Sequence, residues 1–307
     1  MRIFLTGASG LLGGNFAETA ARRGHEVIGT VGSWNGPPLA GVARQLRLDL
    51  RELGAVTAAV LEAFPDAIVN CAALSETARC EADPAASHRL NVELPQRLAE
   101  LAQHLNARCV HVSSEQVFDG RHPPYRPTDP VAPLNVYARH KVESEVCVAA
   151  AASALAVTVR APLLLGNSPG GRRSVHERLL LDWSAGRTLR LNTDEIRQPC
   201  LADNLAEVLV ELGERRDLSG IFHWGGTDAV SRYALGRAIA EHFKVPPEGR
   251  IEPVQLAGTP AAATRPLDLS LDLRPLAGRL KTRPEPLGAQ LERLNVPPAA
   301  RDWWRAL

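Results

Sequence analysis

Short apolar runs alternate along the chain with longer stretches in which apolar positions return every third or fourth residue. A short run bounded by turn residues reads as a buried strand, and the longer period reads as an amphipathic helix. The strand-like runs are Arg2 to Leu5, Glu26 to Thr30, Gln45 to Leu48, Ala67 to Asn70, Arg108 to Ser113 and Ala156 to Arg160. Between them lie helical stretches near Leu12 to Arg23, Leu53 to Phe64, Pro84 to Leu105 and Val136 to Ala152. This alternation predicts an α/β fold, a doubly wound and mainly parallel sheet with helices on both faces. Beyond the turn-rich segment Gly166 to Arg172 the pattern is less regular, with helices expected at 175–185, 203–215 and 231–243 and a strand at 220–224. That segment suggests a boundary: residues 1–167 form one domain and 168–307 mainly a smaller α/β lobe, some of whose segments return to the first. The proline-rich tail, 258–298, reads as ordered loops with short helices.

The first strand runs into Gly7, Gly10 and Gly13, spaced three apart, and Leu12, Phe16 and Ala20 then continue on one helical face. A buried strand turning sharply into a helix points the helix's first N–H groups at a bound pyrophosphate. The residues expected at that phosphate are Gly7, Ser9, Gly10, Leu11, Leu12 and Gly13. The plainer reading is a turn whose glycines only allow close packing.

Further on, Tyr137 and Lys141 are four residues apart in a helical stretch, so the phenol and the ammonium share a face. A neighbouring cation favours the phenolate and brings tyrosine towards a working pH, which suits proton transfer. Such pairs also arise on many helices for structural reasons alone. Upstream, the β-rich run Val110 to Ser114 would end with two hydroxyls at the carboxyl edge of a parallel strand, where open sheets hold ligands. Those serines could equally begin a turn.

Taken together, these motifs resemble the extended short-chain dehydrogenase/reductase family, and within it the dTDP-4-dehydrorhamnose reductase branch, which includes the regulatory β subunit of methionine adenosyltransferase. The matching pieces are Gly7 to Gly13, Asp49-Leu50, Asn70 to Ala73, Asn91, Ser113 to Gly120, Tyr137 to Lys141, Arg160 to Pro162, Gly220 to Trp224, Arg265-Pro266 and Leu271-Asp272. The resemblance implies a Rossmann domain with a substrate lobe. It also implies Ser114, Tyr137 and Lys141 as the catalytic set, with Ser113 a structural neighbour. Asp49 and Leu50 would flank the adenine, Ala72, Ala73 and Asn91 would line the cofactor site, and Pro162 would lie near the nicotinamide. For Asp49 a helix N-cap is the alternative. Two departures stand out: Gln116 where the reductases usually carry tyrosine, and Leu267 to Ser270 in place of a more polar run.

No carboxylate follows the second strand, where one would hold the ribose of NAD and repel the extra phosphate of NADP. Ser33 could donate to that phosphate, although no arginine stands beside it in the sequence. NADP(H) is therefore preferred and NAD(H) remains open. For a nucleotide-sugar substrate, Arg265 is the candidate for the diphosphate, since a guanidinium matches phosphate in a bidentate way. A surface salt bridge is its alternative. Gln116 and Gln198 are candidates for sugar hydroxyls and Glu115 for proton traffic, while His223 and Trp224 read as core residues of the lobe.

The 307 residues carry a formal net charge of +1, which does not advertise nucleic acid or a membrane surface as a partner. No apolar stretch reaches the roughly 20 residues that span a bilayer, and a core strand takes the place of a signal peptide. The five cysteines form no metal-like pair and the histidines no ligand spacing, so no metal site is expected and a reducing cytoplasmic setting is. The resemblance adds a homodimer. Three functions fit: a reductase of a nucleotide-linked 4-keto-6-deoxy sugar, an epimerase or dehydratase using the same catalytic set, and a cofactor-binding regulatory subunit.

Overall fold

A computed structural model describes residues 1–307. Its first six strands are β1 (Arg2–Thr6), β2 (Glu26–Val31), β3 (Arg44–Arg47), β4 (Ala67–Asn70), β5 (Arg108–Ser114) and β6 (Ala156–Ala161). The helices among them are α1 (Leu11–Arg22), α2 (Leu53–Ala63), α3 (Thr77–Ala82), α4 (Pro84–His88), α5 (Leu94–Leu105) and α6 (Val136–Ala152). Every residue of β4 and β6 is buried, as expected of strands covered on both faces. One core, with Phe16 at its centre, lies under α1, and a second, around Phe4 and Leu98, lies under α2 and α5 on the opposite face.

The helix expected from Pro84 to Leu105 is present without a gap, but its hydrogen-bond ladder changes in the middle. Pro95 has no N–H to give to the carbonyl four residues back, and the ladder widens into a π turn over Arg89–Glu93 between α4 and α5. Asn91 sits in that turn and is fully buried.

The second half continues with β7 (Leu164–Leu165), α7 (Val175–Ser184), β8 (Leu189–Asn192), β9 (Ile196–Arg197), β10 (Cys200–Leu201), α8 (Ala202–Glu214) and β11 (Gly220–His223). It ends with β12 (Val230–Ser231), α9 (Arg232–His242), β13 (Ile251–Val254) and three short helices. The strand expected in the lobe in fact joins the main sheet, since β11 pairs in parallel with β6 (Ile221 opposite Thr158, His223 opposite Arg160). The sheet therefore has seven strands in the order β11-β6-β5-β4-β1-β2-β3. Between β11 and β6, α8 returns to share a core with α1 through Leu205 and Leu209. His223 and Trp224 thus belong to the edge of the main sheet. A separate core around Trp183, Leu235 and Leu291 holds α7 and α9 in the lobe. No helix is long and apolar enough to cross a membrane.

One buried ion pair ties α6 to the sheet. Arg160 on β6 donates to Glu145 on α6 through Nε (2.9 Å) and Nη2 (2.7 Å), both side chains being 4% exposed. Ser113 Oγ completes the carboxylate's shell. Arg160→Met should leave Glu145 buried without its cation and cost about 3–5 kcal/mol. Urea denaturation measures this, and an unchanged midpoint would refute it.

Candidate active site

The strand order reverses between β1, which pairs with both β2 and β4, and the carboxyl ends of these strands open a crevice. Gly7 turns the chain there with φ of +74°, a conformation that side chains resist, and its carbonyl accepts the Gly10 N–H at 2.9 Å. A Cβ on Gly13 would lie 2.1 Å from the Gly7 oxygen, and one on Gly7 would lie 3.0 Å from the Ala72 backbone. Gly10 is the N-cap of α1, and neither a capping side chain nor an acidic residue occupies the first turn. The N–H groups that open α1 are therefore left for an anion. Ser9 and Leu11 are partly exposed on this turn, while Leu12 is turned into the core.

Along the rim after β2, Ser33 is exposed. The β2–β3 pairing sets Arg47 opposite Val31, and its guanidinium donates to the Gly32 carbonyl (3.1 Å), the Trp34 carbonyl (2.7 Å) and Asn35 Oδ1 (3.2 Å). A cation that is remote in sequence thus stands beside Ser33. Asp49 does not cap α2, whose N-cap is Glu52. Its exposed carboxylate is instead clasped by Arg51 (Nη2 at 2.7 Å), a hydrogen bond that pulls it down to about 2. Leu50 packs at the edge of the core under α2.

Asn91 braces the chain beyond β4 without pointing into the crevice. Its Oδ1 accepts the Leu74 N–H and its Nδ2 donates to the Leu74 carbonyl, both at 3.0 Å, which holds the segment carrying Ala72 and Ala73. Pro162 follows β6 and faces Gly225.

Both serines at the end of β5 meet α6 at different heights, Ser113 Oγ donating to Glu145 in the middle of the helix and Ser114 lying near its first turn. Asn135 caps α6, its side chain accepting from Ala138 N (2.9 Å), and Tyr137 follows in the first turn with its buried phenol close to the Ser114 hydroxyl. Burial pushes this phenol up to about 12, with the nearby Ser114 hydroxyl acting the other way. The expected influence of Lys141 on it is not realised, because the ammonium turns aside to the Val112 carbonyl (2.7 Å), with His111 Nε2 at 3.5 Å. Burial also lowers Lys141 to about 8, opposed by Glu145 and Cys71.

Behind Ser114 the lobe supplies a buried group of charges that sequence reasoning largely missed. Glu115 Oε1 lies 3.4 Å from Arg197 Nε, while its Oε2 is buried without a partner. Glu195 bridges Arg197 (3.1 Å) and Arg265 (2.6 Å), so Arg265 does form a salt bridge while remaining half exposed. Arg232, which opens α9, has a buried Nη1 with no partner, and burial lowers it to about 10. No local pattern marks Glu195, Arg197 or Arg232, which gain their meaning only from loops meeting in space. Gln116 accepts from Asn135 Nδ2 (3.3 Å) at the mouth of the crevice. Gln198 is spent on the fold, giving Nε2 to the Gly226 carbonyl (2.7 Å) and taking the Leu271 N–H on Oε1 (2.8 Å).

A phosphate cradle at the reversal of a parallel sheet, with Ser, Tyr and Lys beside it, defines a member of the extended short-chain dehydrogenases/reductases. The family model for the RmlD substrate binding domain matches residues 1–295, and the chain belongs to that family, in the dTDP-4-dehydrorhamnose reductase branch. A dTDP-4-dehydrorhamnose reductase of Mycobacterium tuberculosis is 31% identical over 271 residues, covering 86% of this chain and 82% of the relative. A methionine adenosyltransferase 2 subunit beta of Xenopus tropicalis is 32% identical over 278 residues, covering 88% and 80%. The fold matches a Bacillus anthracis dTDP-4-dehydrorhamnose reductase solved in complex with NADP, with TM-score 0.81 at 22% identity over 95% of this chain and 97% of that one.

Burial raises Glu115 from 4.5 to about 8, opposed by Arg197 and Arg232. The folded protein then keeps a proton that the unfolded chain has lost, so stability falls as pH rises between those values. Glu115→Gln should flatten that fall. Urea midpoints taken near pH 5.5 and pH 8 test this, and equal losses in both proteins would contradict the raised value.

Proposed function

We propose that this protein is an NADPH-dependent reductase of a nucleotide-linked 4-keto-6-deoxy sugar. The observation that carries the reading is that the Ser114 and Tyr137 hydroxyls lie close together, with Lys141 one helical turn on, at the same sheet edge as the glycine turn that opens α1. The cradle fits a dinucleotide, since a Cβ at Gly13 would collide with the Gly7 carbonyl and the opening N–H groups of α1 lack a cap. Gly7, Ser9, Gly10, Leu11 and Gly13 would hold the pyrophosphate, Ala72, Ala73 and Pro162 would line the nicotinamide half, and Asp49 and Leu50 would flank the adenine. When bound, NADPH supplies the hydride.

The chain's own residues handle the proton and the charge. Tyr137, kept protonated by burial, gives its proton to the ketone oxygen, and Ser114 donates a hydrogen bond to that oxygen as negative charge builds on it. Lys141 holds the nicotinamide ribose. Arg265 and Arg232 receive the substrate's diphosphate, with the unpartnered Nη1 of Arg232 available to it. Arg47 with Ser33 receives the 2′-phosphate of the cofactor. The methionine adenosyltransferase subunit, of similar identity, favours a second reading, a regulatory subunit that keeps the cofactor fold.

Purified protein given NADPH and a dTDP-4-keto-6-deoxy sugar should oxidise the cofactor, and Tyr137→Phe should lower turnover by about 10² to 10⁴ with NADPH affinity retained. Cofactor binding without turnover in the wild type would favour the regulatory reading. Arg47→Ala should reduce the preference for NADPH over NADH by about tenfold, the worth of one charge-assisted contact. Parallel KM values for the two cofactors measure it, and an unchanged ratio would exclude Arg47 from the phosphate site.

A further inference from the structure

Beneath Lys141 a chain of buried polar groups crosses three strands and ends at the glycine turn. Thr6, the last residue of β1, donates its Oγ1 hydrogen to Asn70 Oδ1 at 2.6 Å. The Ala72 N–H points at the same Oδ1 at 3.3 Å, so turning the Asn70 amide over would set its NH2 against another donor. The Asn70 amide therefore presents Nδ2 to His111 Nδ1, 3.1 Å away, and that nitrogen must accept. The single proton of a neutral His111 then resides on Nε2, where it is donated to Ser144 Oγ at 3.1 Å, and Ser144 passes its own hydrogen to the Lys141 carbonyl at 2.7 Å. His111 is 1% exposed and lies beside the Lys141 ammonium, and both push it well below its ordinary range, so it stays neutral.

We propose that Asn70 and His111 are positioning residues for Lys141. Asn70, oriented by Thr6, holds His111 as the Nε2–H tautomer, and that tautomer cannot accept a hydrogen bond from Lys141. The Val112 carbonyl is then the one protein acceptor the ammonium uses, and its other two hydrogens stay free for the cofactor's ribose hydroxyls. The opposite tautomer would turn a lone pair toward Nζ, 3.5 Å away, and draw the ammonium back against the sheet. This inference rests on the reading that Lys141 binds the ribose.

The tautomer can be read directly from long-range proton–nitrogen NMR of histidine-labelled protein. His111 should show the Nε2–H form at neutral pH, and a Nδ1–H form would overturn the proposal. Asn70→Asp offers Nδ1 an acceptor in place of a donor and should convert the signal away from the Nε2–H form. NADPH affinity, followed by nucleotide fluorescence without substrate, should weaken about tenfold, as for the loss of one charge-assisted hydrogen bond. Should Asn70→Asp not fold, Thr6→Val releases Asn70 from the far end and should give mixed tautomers with a smaller loss of affinity. Lys141→Ala run alongside separates the two readings. If it weakens NADPH while the tautomer-shifting variants do not, the positioning role is wrong and the ribose role stands. If Lys141→Ala leaves affinity unchanged, both fall.

Discussion

The molecule depends on one constraint, the position of β1 between β2 and β4. Because β1 pairs in parallel with both, the connections on its two sides run to opposite faces of the sheet, and nothing covers its carboxyl end. A chain leaving that end must turn at once into α1. Gly7, with its positive φ, and Gly13, pressed against the Gly7 carbonyl, are the local cost of the turn. The same crevice collects the ends of β4, β5 and β6. Ala72, Ser114 and Pro162, which are far apart in sequence, are neighbours here because successive parallel strands stop at one edge.

Two groups of buried charge flank the Ser114 and Tyr137 hydroxyls, and they differ in how completely they are satisfied. In the Arg160–Glu145 pair the carboxylate takes two guanidinium hydrogens and the Ser113 hydroxyl, a closed arrangement whose work is to hold α6 on the sheet. The group around Glu115, Glu195, Arg197 and Arg232 is open, with an acceptor on Glu115 and a donor on Arg232 left over. Buried polar atoms are nearly always paired, so these two leftovers set the second group apart from the closed Arg160–Glu145 pair.

Much of this was legible in the sequence because it is local. The strand periods, the glycine turn and the Tyr137–Lys141 spacing follow from repeats of two and 3.6 residues and from the conformational freedom of glycine, and they needed no tertiary context. What escaped was set by contacts between distant segments. Pro95 widened one turn of the expected helix through a missing hydrogen bond. The strand at Gly220 gave no sign of which sheet it would join, since its apolar pattern suits either one. Arg47 came beside Ser33 only through β2–β3 register, and Gln198, read as a ligand for sugar, proved to bind two backbone groups. Polar side chains look alike in sequence whether they face a ligand or the chain's own carbonyls, and only the completed fold tells them apart.

The electrostatics of Tyr137 bear on the direction of the chemistry. A lysine one turn away would be expected to make the phenol more acidic, yet the ammonium is engaged with the Val112 carbonyl and the phenol sits in a buried pocket that favours its neutral form. A tyrosine held protonated is set to donate, which is the role a carbonyl reduction asks of it. In the proposed reaction Ser114, close to the same phenol, meets the developing oxyanion. Burial without a cation in direct contact thus keeps the proton on Tyr137, the form that the proposed reduction draws on. That burial comes from how α6 is seated, with Asn135 capping its first turn and Glu145 anchored by Arg160 farther along. The protonation of Tyr137 is thus a property of the helix's docking as much as of the side chains around it.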